Sequence, residues 1–87
     1  MRADAKKVMR LLKTARGQMD GLIKMVEEDR YCVDISHQLL ATQAILRSVN
    51  RLVLQGHIEG CLNEAVEKGE AKAQIQEVLE IMDKLAR

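Results

Sequence analysis

Two cysteines and a histidine are the residues of this chain whose types and spacing could bind a metal ion. His57 and Cys61 are four residues apart, and residues with that spacing share one face of a helix. Cys32 begins the same helix-forming stretch, in which no Gly or Pro occurs between Val33 and Gln55. A continuous helix would place Cys32 roughly 37 Å from His57. If all three residues bind one ion, another subunit must complete the site.

Two antiparallel copies of this helix would bring the three residues together. Cys32 of one chain would meet His57 and Cys61 of the other, and two-fold symmetry would create two identical sites. The axis would pass near Ile45 and Leu46, midway between the two ends of the stretch.

Two thiolates and one imidazole form a soft donor set, which favours Cu(I) or Zn(II) over Mg²⁺ or Ca²⁺. Three ligands fit trigonal Cu(I) better than zinc, which usually takes four, although zinc with a carboxylate or water as fourth ligand is an alternative. A lone buried cysteine often acts as a small apolar residue, so Cys32 by itself would indicate only packing. His37 is off the face of Cys32 and is predicted not to bind metal. The sequence contains no arrangement typical of a catalytic site, and we do not predict an enzyme.

The composition describes a short chain whose core must be aliphatic. The 87 residues include no Phe, no Trp and one Tyr, yet 47% are apolar, which a small monomer cannot easily bury. We therefore expect one domain, residues 1–87, that oligomerises. The sequence has no signal peptide and no membrane-spanning segment, so we expect a cytoplasmic protein with no membrane partner. In that compartment cysteines serve as ligands or redox-active thiols more often than as disulfides.

Hydrophobic periodicity predicts an all-α fold with three helices per chain. Apolar residues recur at helical spacing across residues 4–28, which we predict as the first helix. The second helix should run from about Tyr31 or Cys32 to beyond Cys61, with Gly69 as a C-terminal cap after it. The third, shorter helix should cover residues 71–86. Two chains could form an antiparallel four-helix bundle from their long helices.

Charge is divided along the chain. Residues 1–24 carry seven Lys or Arg against two Asp, for a net charge of +5, whereas residues 59–87 have a net charge of −3. A segregated basic face could contact phosphate groups, and oligomerisation would multiply it. Charge alone favours the simpler interpretation of a solvated helix surface.

The chain resembles the copper-sensitive operon repressor (CsoR) family of bacterial transcriptional regulators, whose relatives include nickel/cobalt, formaldehyde and persulfide sensors. The Cys…His-x-x-x-Cys spacing in a helical context is the specific part of the match. The residues that carry the resemblance are Gly17, Gln18, Gly21, the run 25–32, Asp34, Ile35, Gln38, Ala41, His57 and Cys61. The resemblance implies an all-helical homodimer that assembles into a homotetramer and binds operator DNA without a helix-turn-helix motif.

The resemblance also implies roles for individual residues. Copper members bind Cu(I) through a cysteine of one subunit and a histidine and cysteine of the other, which match Cys32, His57 and Cys61. Tyr31 and Glu77 match residues that surround these ligands, and Glu77 could accept the second ring N–H of His57. The expected function is a Cu(I)-responsive repressor that binds operator DNA without metal and releases it with Cu(I) bound. The residues expected to bind DNA are Arg10, Lys13, Arg16, Arg47 and Arg51.

Two other functions remain open from the sequence. A persulfide- or redox-sensing repressor of the same family would link Cys32 to Cys61 of the partner through a disulfide or polysulfide bridge. Relatives of that kind typically lack the histidine, so His57 favours copper. A metal-buffering helical bundle without a DNA role is the other alternative, and it is compatible with the net charge of +1.

Overall fold

The computed structural model describes residues 1–69 and 71–86, and over these ranges the chain is helical with no strand. The all-α prediction is confirmed. Two long helical rods form an antiparallel hairpin, and a shorter third rod follows. The elements are α1 (Ala5–Glu27), α2 (Cys32–His57), a π-helical turn (Ile58–Leu62), α3 (Asn63–Glu67) and α4 (Ala71–Ala86).

The first helix begins at a side-chain cap and lies within one residue of its predicted limits. The Asp4 carboxylate accepts hydrogen bonds from the backbone N–H groups of Lys6 (3.0 Å) and Lys7 (3.3 Å). These are donors that the first turn of a helix cannot satisfy by itself. After α1, Asp29 adopts a φ of 51°, in the left-handed region, where the chain reverses toward α2.

The contact between α1 and α2 is a narrow seam. Its buried residues recur every seven positions, a period that keeps one line of side chains facing a paired helix. They are Val8, Ala15 and Leu22 on α1, and Thr42 and Val49 on α2.

A part-buried hydrogen bond connects the two helices of the hairpin. The Thr42 hydroxyl donates to Gln18 Oε1 at 2.8 Å and lies 3.1 Å from the carbonyl oxygen of Gln38. Gly56 contacts Ala3 at one end of the hairpin. Both pairs fit one antiparallel register, in which early residues of α1 lie beside late residues of α2.

The second rod continues through the π-helical turn and α3, which confirms that it extends beyond Cys61. Gly69 follows α3 with a φ of 74°, and its N–H donates to the carbonyl of Val66, as predicted for a C-terminal cap. The α4 helix then packs against the end of the second rod, where Val78 is buried. Over the described ranges, no helix combines the length and hydropathy needed to cross a membrane.

The helices form a single layer. The Cα atoms extend over 56 × 28 × 13 Å, and the smallest extent is close to the diameter of one helix, about 10 Å. The accessible surface is 6703 Å². A folded monomer of 9.8 kDa exposes roughly 5,200 Å², so this chain exposes roughly 1,500 Å² more. Because one partner in a typical stable interface buries about 800 Å², the excess supports a second layer supplied by another chain.

Candidate metal centre

His57 and Cys61 lie on consecutive turns at the end of α2, and both are half-buried. His57 is the last residue of regular α-helix, and Cys61 lies in the π-helical turn. Each turn of a π-helix holds more residues than a turn of α-helix, and such turns are frequent at functional sites. Within this turn the carbonyl of Glu59 accepts a hydrogen bond from the Asn63 side-chain amide at 2.7 Å. The sequence analysis did not predict the π-helical turn. His57 and Cys61 nevertheless lie on consecutive turns.

Arg2 and Glu64 border Cys61, and sequence analysis did not identify either residue as part of the site. The Arg2 guanidinium forms a salt bridge with Glu64, and its methylene groups lie over Gly60, the neighbour of Cys61. The pKa of Arg2 is raised above its ordinary value, first by its interaction with the Cys61 side chain and then by Glu64. The sequence signal that could have indicated a close neighbour is the pair Gly56 and Gly60, four residues apart in one helix.

Glu77 and His57, which the sequence analysis expected to interact, border the same shallow pocket between α2 and α4. The residues that line it are Asn50, Val53, Leu54, His57, Glu77, Val78 and Ile81. A carboxylate beside a metal-binding imidazole can accept its second ring N–H and hold the ring in place. The position of Glu77 supports that role, which stays a prediction.

Cys32 and Tyr31 lie at the opposite end of α2. Cys32 is the first residue of the helix and is exposed, and Tyr31 is 66% exposed. Among the described residues of one chain, no three His, Cys, Asp or Glu side chains come close enough to hold a metal ion. The chain therefore separates Cys32 from His57 and Cys61, and their meeting between two chains stays a prediction.

An uncovered apolar stripe connects the two ends of α2. Cys32, Leu39, Leu46 and Val53 recur every seven residues and so follow one face, with His57 one turn beyond Val53. Leu39 is 46% exposed and Leu46 is 45% exposed, although both are large and apolar. This stripe lies beside the buried line through Thr42 and Val49. The face that carries Cys32 and His57 is therefore one that a second helix would cover.

The five residues expected to bind DNA are all exposed. Arg10 and Lys13 border a groove along α1 together with Lys6. Arg51 borders a different groove, between α2 and α4.

The sequence matches a family model described as metal-sensitive transcriptional repressor over residues 4–84. It is 48% identical over 69 residues to the copper-sensing transcriptional repressor CsoR of Mycobacterium ulcerans, covering 79% of this chain and 59% of that protein. The corresponding protein of Bacillus subtilis is 38% identical over 76 residues, covering 87% of this chain and 75% of the relative. The chain thus spans about three fifths of the length of the mycobacterial relative.

Two solved structures have a similar fold. The copper-sensing repressor CsoR with Cu(I) from Geobacillus thermodenitrificans matches with a TM-score of 0.85 at 35% identity, over 94% of this chain and 85% of that one. The nickel-responsive transcriptional regulator InrS matches with a TM-score of 0.77 at 27% identity, over 98% and 96% of the two chains.

Proposed function

We propose that this chain, which belongs to the family of metal-sensitive transcriptional repressors, is a Cu(I)-responsive repressor. It binds operator DNA when metal-free and releases it when Cu(I) is bound. It is a regulator and not an enzyme, and it meets its operator in the cytoplasm. The similarity to proteins named copper-sensing repressors, and to a CsoR structure with Cu(I), supports copper as the signal.

The observation that carries the proposal is that Cys32, His57 and Cys61 lie along one helical rod formed by α2 and the π-helical turn. Two of them, His57 and Cys61, lie together, and Cys32 lies on the same uncovered stripe at the far end. Two thiolates and an imidazole are soft ligands that fit Cu(I). We propose that two chains pair antiparallel along this stripe, so that each of two sites takes Cys32 from one chain and His57 and Cys61 from the other.

Two such dimers would then form the homotetramer that presents the basic residues to DNA. The exposed positions of Arg10, Lys13, Arg16, Arg47 and Arg51 support this role. Assembly would multiply the basic surface that faces a duplex. Cu(I) binding would favour an arrangement of the helices in which the basic side chains no longer fit the DNA backbone together.

Anaerobic titration of the reduced protein with Cu(I) against a competing chelator tests the metal assignment. We expect tight binding of one Cu(I) per chain, lost in His57→Ala. The matched control is His37→Ala, which removes the other histidine, an exposed residue of α2, and should bind Cu(I) like the unaltered protein. A His57→Ala variant that binds Cu(I) with unchanged affinity would contradict the assignment.

Fluorescence anisotropy with DNA from upstream of the protein's own gene tests the regulatory step. We expect Cu(I) to lower DNA affinity at least about tenfold, a coupling free energy of about 1.4 kcal/mol. Arg47→Ala should reduce the slope of log affinity against log salt by about one per chain bound, whereas Lys68→Ala in the turn after α3 should not. Tight Cu(I) binding with unchanged DNA affinity would indicate metal buffering. Weak Cu(I) binding, with a covalent dimer after polysulfide treatment, would indicate sulfur sensing.

A further inference from the structure

The segment before α1 packs into a groove that exists only because two residues are glycine. A Cβ atom on Gly56 would lie 2.6 Å from the backbone nitrogen of Ala3 and 2.8 Å from its Cα. A Cβ atom on Gly60 would lie 2.8 Å from Cγ and 2.9 Å from Cδ of Arg2. These separations are shorter than carbon atoms in contact tolerate, so a larger residue at 56 would displace the backbone of the segment, and one at 60 would displace the Arg2 side chain. Gly56 immediately precedes His57, and Gly60 immediately precedes Cys61.

The groove directs the Arg2 side chain to the π-helical turn. Its methylene groups lie over Gly60, and its guanidinium contacts the Glu64 carboxylate. A guanidinium has several N–H donors in a planar fork, so it can donate to a second acceptor beside the carboxylate. Arg2 is thus held at Gly60 and at Glu64, residues on either side of Cys61, a proposed metal ligand.

The positive charge of Arg2 would stabilise the proposed metal centre. Two thiolates and one Cu(I), with a neutral imidazole, carry a net charge of about −1, counted from the ligand types. A negative centre that is half-buried is stabilised by a fixed positive charge nearby. Glu64 acts in the opposite sense, because its carboxylate is negative and shares the same guanidinium.

We propose that Arg2 is a positioning residue of the Cu(I) site: the groove at Gly56 and Gly60 fixes its side chain, and its guanidinium orients the Cys61 sulfur and balances the charge of the two-thiolate centre. This inference rests on the proposed function. It adds a residue outside the three ligands, and it makes the segment before α1 part of the metal centre.

Charge variants separate this role from a merely structural one. Arg2→Ala should lower Cu(I) affinity about tenfold in the competition titration, and Arg2→Lys should recover part of the loss. Glu64→Gln breaks the same salt bridge but removes a negative charge, so Cu(I) affinity should stay the same or rise. If the salt bridge only fastened the segment, both Arg2→Ala and Glu64→Gln would weaken Cu(I) binding equally, and that result would overturn the inference.

A second measurement uses the metal-free protein. Amide hydrogen exchange at residues 57–62 reports whether the segment holds the π-helical turn. Exchange should become several-fold faster in Arg2→Ala and in Gly60→Ala, because the added Cβ of the latter displaces the Arg2 methylenes while the charge is kept. The control Lys6→Ala removes a positive charge from the groove on α1 and should leave exchange at these residues unchanged. Unchanged exchange in both test variants would also contradict the inference.

Cu(I) binding by the unaltered protein distinguishes failure of the proposed function from failure of this inference. If it binds no Cu(I), the proposed function is wrong and the inference fails with it. If it binds Cu(I) and Arg2→Ala binds equally well, the inference alone is wrong.

Discussion

The two ends of α2 carry parts of one proposed metal site in contrasting surroundings. Cys32 lies in the first turn of a regular helix, exposed and preceded by the exposed Tyr31, whose side chain makes no capping hydrogen bond. His57 and Cys61 lie where the helix widens into a π-helical turn. At that end α4 covers one side and the segment carrying Arg2 covers another.

The contrast suggests that the two ends have different tasks. The end with His57 and Cys61 has neighbours within one chain, because α4 lies beside His57 and the segment carrying Arg2 lies beside Gly60 and Cys61. The end with Cys32 offers a single thiol that gains neighbours only from another chain. A site divided in this way joins metal binding to the arrangement of two chains, which is the link a metal-controlled DNA-binding assembly requires.

The largest expected effect is on Cu(I) binding, when one proposed cysteine ligand is removed in each of two variants and the variants are then combined. Cys32→Ala and Cys61→Ala should each lose tight Cu(I) binding. Co-expressed with different tags, they should regain it, because one of the two sites in each mixed dimer keeps Cys32 from one chain and His57 and Cys61 from the other. With random pairing of equal amounts, we expect about one tight site for every four chains, measured by competition titration. A mixture that binds no better than the separate variants would show that the donors do not come from two chains.

Leu46 tests the pairing of the stripes. It lies near the expected two-fold axis, so Leu46→Asp would place two negative charges close together. It would also remove two apolar side chains from the interface, which costs at least about 3 kcal/mol per dimer. Sedimentation should show dissociation into monomers. The control Ser48→Asp adds the same charge at an exposed position on another face of α2 and should leave the assembly intact. Equal behaviour of the two variants would mean that α2 pairs along a different face.

The same comparison shows what the sequence could predict. Helical periodicity and the spacing of His57 and Cys61 are local properties, and the structure confirms that one helical rod carries both. The separation of Cys32 from them followed from helix length alone. The exposed Leu39 and Leu46 agree with the expected pairing along the stripe.

The sequence could not predict the environment of Cys61. A π-helical turn differs from an α-helical turn by a small shift in hydrogen bonding, so the choice depends on what packs against it. Here the contact comes from Arg2 and Ala3, which are distant in sequence. Gly56 and Gly60 indicated a close approach, because glycine is unfavourable in a helix unless space is needed, but they did not indicate which segment approaches.

A smaller effect, on the free energy of unfolding, is expected from a substitution in the middle of the hairpin, far from both ends of α2. Thr42→Val removes the hydroxyl that donates to Gln18 Oε1 within the buried seam. The unpaired carbonyl should lower the free energy of unfolding by about 1–3 kcal/mol, measured by urea denaturation of the metal-free protein. The double variant Thr42→Val/Gln18→Leu removes both polar groups and should recover most of the loss. If the double variant is less stable than Thr42→Val, the hydrogen bond between Thr42 and Gln18 does not set the register of the hairpin.

The smallest effect is on amide exchange, and along α2 it should be confined to the end near Cys61. Asp4→Ala removes the cap of α1, whose carboxylate accepts hydrogen bonds from the N–H groups of Lys6 and Lys7. Loss of such a cap costs about 1 kcal/mol and loosens the first turn, to which the segment with Arg2 is joined. Amide exchange should therefore increase at the start of α1 and around Cys61, while amides near Cys32 keep their rates. Equal acceleration at Cys32 would mean that the two ends of the helix respond as one unit and that the separate organisation of the Cys61 end is wrong.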